Sequence, residues 1–152
     1  MADNDRIELI YAEIPKYRHK VSGRVKFAEV DSAGIVHNVQ YFYLLEWART
    51  EYLQNLGINL EPNTFIRELP LMVVRNELDY LGSLRFYDEY SILTRVTEVK
   101  DSSFTFRQIV LSGNQKPVAG GSSVFVYVDF KEKVSKTVPD FLRNAIEKFE
   151  NL

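Results

Sequence analysis

The sequence contains no cysteine and only two histidines, His19 and His37. The missing cysteines exclude disulfides, thiolate nucleophiles, zinc ribbons and iron–sulfur clusters, and they fit a reducing compartment. A catalytic zinc site usually requires two or three imidazoles, so a histidine-based metal centre is not expected. A magnesium ion held by carboxylates stays open, but the prediction is a protein that needs no metal or other cofactor.

The chain also lacks a strong excess of either charge and any long apolar run. Its 19 basic and 21 acidic residues give a net charge of −2, which does not provide the positive field of a nucleic-acid binder. No stretch approaches the ~20 apolar residues of a membrane span. The start of the chain is polar and acidic, unlike a secretory signal. We therefore expect a soluble, cytoplasmic protein that binds neither nucleic acid nor a membrane.

The length of 152 residues favours one domain, because compact domains most often run to ~100–150 residues. We predict a single domain over residues 1–152, in which residues 1–15 form a loose N-terminal leader. The hydrophobic fraction of 45% is that of ordinary globular chains and is sufficient for a buried core.

Hydrophobic periodicity predicts the order of the elements. Alternation from Tyr17 to Phe27 predicts a half-buried strand with Phe27 on its inner face. Apolar residues at helical spacing predict a long central helix over Val39–Leu56, which Gly57 ends. Alternation then returns in residues 73–80, 90–99, 104–111 and 122–130, and a short amphipathic helix follows a cap at Thr137. This order is an α+β layout with an antiparallel sheet packed on one helix.

The connection between the first strand and the central helix has the strongest chemical pattern. It places Asp31 and a glycine turn at Gly34 beside the helix start, where backbone N–H groups lack partners. Such donors can stabilise an oxyanion, so the pattern indicates acyl transfer to water. Asp31 would be the nucleophile or general base, and the helix start near His37 and Asn38 would hold the carbonyl oxygen. The alternative makes Asp31 a turn residue and Asn38 an N-cap, and the spacing alone favours it.

The residues Asp31-Ser32-Ala33-Gly34-Ile35-Val36, followed by Asn38, Tyr41 and Glu46-Trp47-Ala48-Arg49, carry a family resemblance. The string resembles the hotdog-fold acyl-CoA thioesterases of the 4-hydroxybenzoyl-CoA thioesterase type, and the resemblance runs from about Tyr17 to Phe149. It implies a curved antiparallel sheet wrapped around the long helix. It further implies a homodimer or homotetramer with active sites at the subunit interface.

The same resemblance assigns roles to single residues. Asp31 matches the catalytic carboxylate of the family, and Asn38 stands where many members have a histidine. Glu46 and Arg49 lie three residues apart on the helix, which favours an ion pair over a substrate contact. Candidate cations for the CoA phosphates are Arg75, Arg85, Arg95, Lys100 and Arg107. Candidate lining residues of an acyl pocket are Phe42, Trp47, Phe65, Met72 and Phe104.

Three functions are compatible with these residues. The leading one is hydrolysis of an acyl-CoA, or a similar acyl thioester, to the free acid and thiol. A hotdog hydratase or dehydratase acting on an acyl thioester would need an Asp–His pair, which here would have to include His37. A non-catalytic acyl-CoA binding module is the third. Aromatic and aliphatic acyl groups, on CoA or on a carrier protein, all stay open as substrates.

Overall fold

The computed structural model of the chain describes residues 3–152. The helices are α1 (Asp3–Glu13), α2 (Gln40–Asn55), α3 (Thr64–Arg67) and α4 (Asp140–Glu150). The strands are β1 (His19–Arg24), β2 (Leu71–Tyr80), β3 (Glu89–Val99), β4 (Ser103–Ser112), β5 (Pro117–Asp129) and β6 (Val134–Ser135). None of the helices within residues 3–152 is both long and apolar enough to cross a membrane.

All strand pairs are antiparallel, and the sheet has the order β1-β3-β4-β5-β2, with β6 paired to β5. The order leaves β1 and β2 at the two edges. Apolar residues of α2 and of the inner face of the sheet form one core cluster. The predicted α+β layout, a curved sheet around one long helix with a short C-terminal helix, is confirmed.

The central helix follows its predicted pattern closely, because it begins and ends within one residue of the predicted range. Its buried residues are Tyr41, Leu44, Leu45, Ala48, Arg49, Tyr52 and Leu53. They recur at the three- and four-residue spacing that places side chains on one face of a helix. This face packs on the sheet and fixes the position of the helix N-terminus, next to the candidate site.

The predicted loose leader is wrong, because residues 3–13 form α1. Its Ile10, together with Ile14 and Tyr17, packs against a cluster on the outer face of the sheet, made of Leu93, Ile109 and Leu111. A sheet that is apolar on both faces must have both covered. The N-terminal segment therefore provides the outer layer of the domain.

The ends of two elements also differ from prediction. The first strand ends at Arg24, so its alternation does not extend to Phe27, whose side chain is 79% exposed. The last helix begins at Asp140 after Pro139. Thr137 does not cap it, since the Thr137 hydroxyl lies 3.4 Å from Asp101 Oδ2 instead.

Gly121 on β5 lets the edge strand approach closely. A Cβ atom on Gly121 would lie 2.1 Å from the carbonyl oxygen of Glu77 on β2. No side chain can be accommodated at that distance without moving one of the two backbones. Glycine at this position therefore sets how tightly β2 pairs with the rest of the sheet.

His19, on the inner face of β1, makes stability depend on pH. Burial lowers the pKa of its imidazole, and Glu51 opposes this shift only in part. A histidine that resists protonation in the folded state destabilises the fold once the unfolded chain binds the proton. We expect the free energy of unfolding to fall as the pH drops below about 6.5 and His19→Gln to weaken this dependence. Urea unfolding at pH 7.5 and 5.5 measures the change in the free energy of unfolding. An equal change in the unmodified protein and in His19→Gln would contradict the prediction.

Candidate active site

Asp31 opens the tight turn between β1 and α2. The N–H group of Gly34 donates to the Asp31 carbonyl at 3.0 Å, and the φ angle of +73° at Gly34 favours glycine. The N–H group of Ala33 donates to Asp31 Oδ1 at 2.8 Å. Among the described residues no other hydrogen bond to this half-buried carboxylate is found. The turn therefore fixes the carboxylate and leaves Oδ2 for water or a substrate.

Backbone hydrogen bonds hold this turn against the rest of the fold. The Asp31 N–H group donates to the Ile35 carbonyl at 2.9 Å, and the Val36 N–H group donates to the Leu84 carbonyl at 2.8 Å. The Phe86 N–H group donates to the Gly34 carbonyl at 3.3 Å. A carboxylate on such a braced turn has little freedom to move away from its position.

His37 satisfies two backbone N–H groups at the start of α2. Its Nδ1 accepts the Val39 N–H group at 3.2 Å, and its carbonyl accepts the Gln40 N–H group at 2.8 Å. The predicted N-cap role of Asn38 is wrong, because the helix begins after Val39. The carbonyl of Asn38 instead accepts the Tyr80 hydroxyl at 2.9 Å.

The four predicted site residues lie in one segment but do not all contact each other. Asp31 and Gly34 share the turn through a backbone bond. His37 and Asn38 follow it, both with exposed side chains. The hydrogen bonds of the Asp31 carboxylate and of the His37 ring go to backbone groups of Ala33 and Val39. An Asp–His pair of the kind that a hydratase needs is therefore not formed among the described residues.

Sequence reasoning missed Tyr80 as a neighbour of this site. Tyr80 ends β2, and its ring packs edge-on against Tyr41, with 5.5 Å between ring centroids. Its hydroxyl holds the backbone at Asn38. Period two along the strand would have placed Tyr80 on the inner face, but no local signal joins it to a residue 42 positions earlier.

Arg49 does not form the predicted ion pair with Glu46. Its guanidinium is buried and donates to Gln108 and Ser123 on the sheet, at 3.0 and 3.1 Å. Burial lowers the pKa of Arg49 to about 10, although Glu46 still raises it slightly from a distance. The arginine is therefore a buried link between α2 and two strands.

The predicted phosphate-binding cations do not all lie together, although Arg95 and Arg107 are directly opposite each other on β3 and β4. Arg75 pairs with Glu77, Lys100 lies 3.3 Å from Glu98, and Arg95 lies 3.9 Å from Glu150. Arg107 is exposed on β4. Arg85 lies next to the Asp31 turn, since it forms a bridge with Ile35.

The predicted pocket residues are similarly dispersed. Phe104 is fully buried in the core, whereas Trp47, Phe65 and Met72 are each exposed by more than a third. Within the described residues, no group of three or more His, Asp or Glu side chains is placed to hold a metal ion.

Residues 25–146 match the family model described as the thioesterase-like superfamily. The chain therefore belongs to the thioesterase-like superfamily. It is 31% identical over 85 residues to the acyl-CoA thioesterase YbgC of Haemophilus influenzae, which is 56% of this chain and 62% of that protein. The chain thus spans less than two thirds of the length of that relative.

Solved structures show the same fold. A thioesterase from Thermus thermophilus, complexed with coenzyme A and Zn, has a TM-score of 0.78 and 25% identity. That match covers 90% of this chain and 97% of the Thermus chain. The gentisyl-coenzyme A thioesterase BH1999 has a TM-score of 0.73 and 26% identity, over 82% of this chain and 98% of the other. The predicted hotdog fold and the membership of a thioesterase family are confirmed.

Proposed function

We propose that this protein hydrolyses acyl-CoA thioesters to the free acid and thiol in the cytoplasm, with Asp31 as the catalytic carboxylate. The observation that carries the proposal is the braced turn that holds Asp31 at the start of α2, in a chain of the thioesterase-like superfamily. CoA is favoured over a carrier protein because the Thermus relative is complexed with coenzyme A and BH1999 is a gentisyl-coenzyme A thioesterase.

Two routes use this carboxylate. In the first, Asp31 Oδ2 attacks the thioester carbonyl, the C–S bond breaks, and the thiolate leaves and takes a proton. Water then hydrolyses the mixed anhydride. In the second, Asp31 takes a proton from water as the water attacks, and the departing thiolate receives that proton.

His37 and the start of α2 would hold the carbonyl oxygen. Because His37 Nδ1 accepts the Val39 N–H group, the neutral ring carries its proton on Nε2. This Nε2–H group is a donor for the developing oxyanion, and the positive end of the helix dipole supports it. Gly34 keeps the approach to Asp31 free of a side chain.

The test of this function is release of free thiol from a panel of short, long and aromatic acyl-CoAs, with acyl-carrier-protein thioesters as a second panel. We expect turnover of at least one acyl-CoA and slower turnover of the same acyl group on the carrier protein. A folded protein that releases no thiol from either panel would contradict the proposal and favour a binding module.

We further propose that the protein is at least a homodimer joined through the edge strand β2. This edge exposes Met72, Val73 and Val74 by 42–59%, and within the described residues β2 pairs only with β5. The opposite edge, β1, carries outward cations such as Lys20 and Arg24, which discourage strand pairing. A second copy on β2 would extend the sheet and cover the apolar residues.

We expect the chain to sediment as a dimer or a larger assembly and Val74→Lys to shift it to a monomer, because a charge on the pairing edge opposes association. Val134→Lys is the matched control, since Val134 is another strand valine, on β6, with half of its surface exposed. A monomeric unmodified chain, or an unchanged assembly in Val74→Lys, would contradict pairing through β2.

A further inference from the structure

A chain of hydrogen bonds runs from buried Arg49 to an exposed residue on the edge strand. Arg49 Nη1 donates to Gln108 Oε1 and to Ser123 Oγ. Ser123 Oγ in turn lies 2.6 Å from Asn76 Oδ1 on β2. This series of hydrogen bonds therefore crosses from the central helix, over β5, to the edge of the sheet.

Hydrogen-bond chemistry sets the direction of the first bond, and the structure sets that of the second. A guanidinium can only donate hydrogen bonds, so the Ser123 oxygen accepts from Arg49. The Ser123 hydroxyl donates its own hydrogen to Asn76 Oδ1. Asn76 is thereby held with its oxygen inward and its Nδ2 amide group outward. Among the described residues no acceptor for that amide group is found.

Gln108 also accepts from the Arg49 guanidinium, but both ends of its amide group are hydrogen-bonded inside the protein. Arg49 holds its Oε1, and its Nε2 donates to the Leu45 carbonyl at 2.9 Å and to Thr94 Oγ1 at 3.1 Å. Gln108 is buried and uses both ends of its amide inside the protein. Asn76 is exposed and presents its donor outward.

Asn76 lies on a face that leads to the candidate site. It alternates with Leu78 and Tyr80 on the inner face of β2, and the Tyr80 hydroxyl contacts the Asn38 backbone. Four residues of a strand span about 13 Å. Leu78, between them, packs against the apolar core. The inner face of β2 therefore carries one directed donor beyond an apolar residue, and small-molecule sites commonly owe the orientation of the ligand to a few such polar groups.

We propose that Asn76 is a specificity residue, whose Nδ2 group donates to an acceptor oxygen on the acyl group of the substrate, at the end remote from the thioester. Arg49 and Ser123 are positioning residues that orient this donor. The proposal rests on the thioesterase function above and names the acyl class that it favours. These are acyl groups with a remote oxo, ether or hydroxyl oxygen.

The decisive variant is Asn76→Asp, because it keeps the shape of the side chain and the bond from Ser123 but replaces the outward donor by a charged acceptor. Three acyl-CoAs of equal length are compared, with an unsubstituted, an oxo or a hydroxyl group at the remote end. The unmodified chain is expected to prefer both oxygenated substrates by roughly ten-fold in kcat/KM, the size of one hydrogen bond.

In Asn76→Asp, the oxo substrate should fall below the unsubstituted one, because two acceptors face each other. The hydroxyl substrate should keep its advantage, because it can donate. Asn76→Leu should remove the preference without reversing it, and Ser123→Ala should reduce it by freeing the amide. Loss of structure alone would not reverse one substrate and spare the other.

Asn114→Asp is the matched control, since Asn114 Oδ1 also accepts a serine hydroxyl, from Ser112 at 2.6 Å, on the turn between β4 and β5. It should leave the preference unchanged. An unmodified chain without the preference, or an Asn76→Asp variant that keeps it for the oxo substrate, would overturn the proposal even if thiol is released. If no thiol is released at all, calorimetry measures the affinities for non-hydrolysable thioether analogues of the three substrates. Equal affinities for the three acyl groups would overturn the proposal.

Discussion

Replacing Asp31 by asparagine is expected to lower kcat for acyl-CoA hydrolysis by ~100-fold or more, the usual contribution of a catalytic acid–base group. Asparagine can still accept the Ala33 N–H group that holds Asp31 Oδ1, so the turn should stay intact. It can neither attack the thioester carbonyl nor take a proton from water. The loss should therefore appear in kcat, measured by thiol release, with little change in the unfolding temperature.

Asp129→Asn is the control for this substitution. Asp129 accepts the backbone N–H groups of Lys131 and Glu132 in the turn between β5 and β6, so it tests the loss of a turn carboxylate elsewhere. Its kcat should match that of the unmodified chain. Equal activity of Asp31→Asn and the unmodified chain would remove Asp31 from the mechanism.

Single turnover in water labelled with heavy oxygen separates the two routes. If Asp31 is the nucleophile, one labelled oxygen enters the Asp31 carboxylate when water opens the anhydride at the aspartyl carbon. If Asp31 is a general base, the label enters only the released acid.

The largest stability effect is expected at Glu150, near the end of α4. Its carboxylate is 1% exposed and accepts the Tyr52 hydroxyl at 2.7 Å and the Val96 N–H group at 2.9 Å. Burial and the hydrogen bond to Glu150 raise the pKa of Tyr52, so the phenol remains a donor. Glu150→Ala leaves both buried donors without an acceptor, which should lower the free energy of unfolding by about 2–4 kcal/mol.

Urea unfolding measures this effect against two controls. Glu150→Gln keeps an acceptor oxygen and should cost less than ~1.5 kcal/mol. Glu147→Ala removes a more exposed glutamate of the same helix, which lies 3.6 Å from Arg143, and should cost at most ~1 kcal/mol. A Glu150→Ala cost no larger than that of Glu147→Ala would show that this contact does not support the fold.

The sequence predicts those elements and turns that are determined by residues close together in the chain. Period two placed the third strand within one residue of its observed start at Glu89, and helical spacing did the same for α2. The sequence also predicted the turn at Asp31 and Gly34, because a short polar side chain followed by a glycine is typical of tight turns. A four-residue helix such as α3 is too short to have a period.

What the sequence does not predict depends on distant partners. Arg49 was expected to pair with Glu46, one turn away, but its partners are 59 and 74 positions further along the chain. The outward donor proposed for Asn76 depends on similarly distant contacts, which run from Arg49 through Ser123. The leader was misjudged for the same reason, since the apolar surface that orders α1 lies on β3 and β4.

Gly121 limits how the sequence of this domain can be varied. Because a methyl group there would meet the Glu77 backbone, mutational libraries that aim to change the acyl preference should keep residue 121 as glycine. Deliberate substitution to alanine offers a different tool. It would move the edge strand away from β5 and stretch the Ser123–Asn76 contact without replacing either side chain, so it tests the effect of spacing alone.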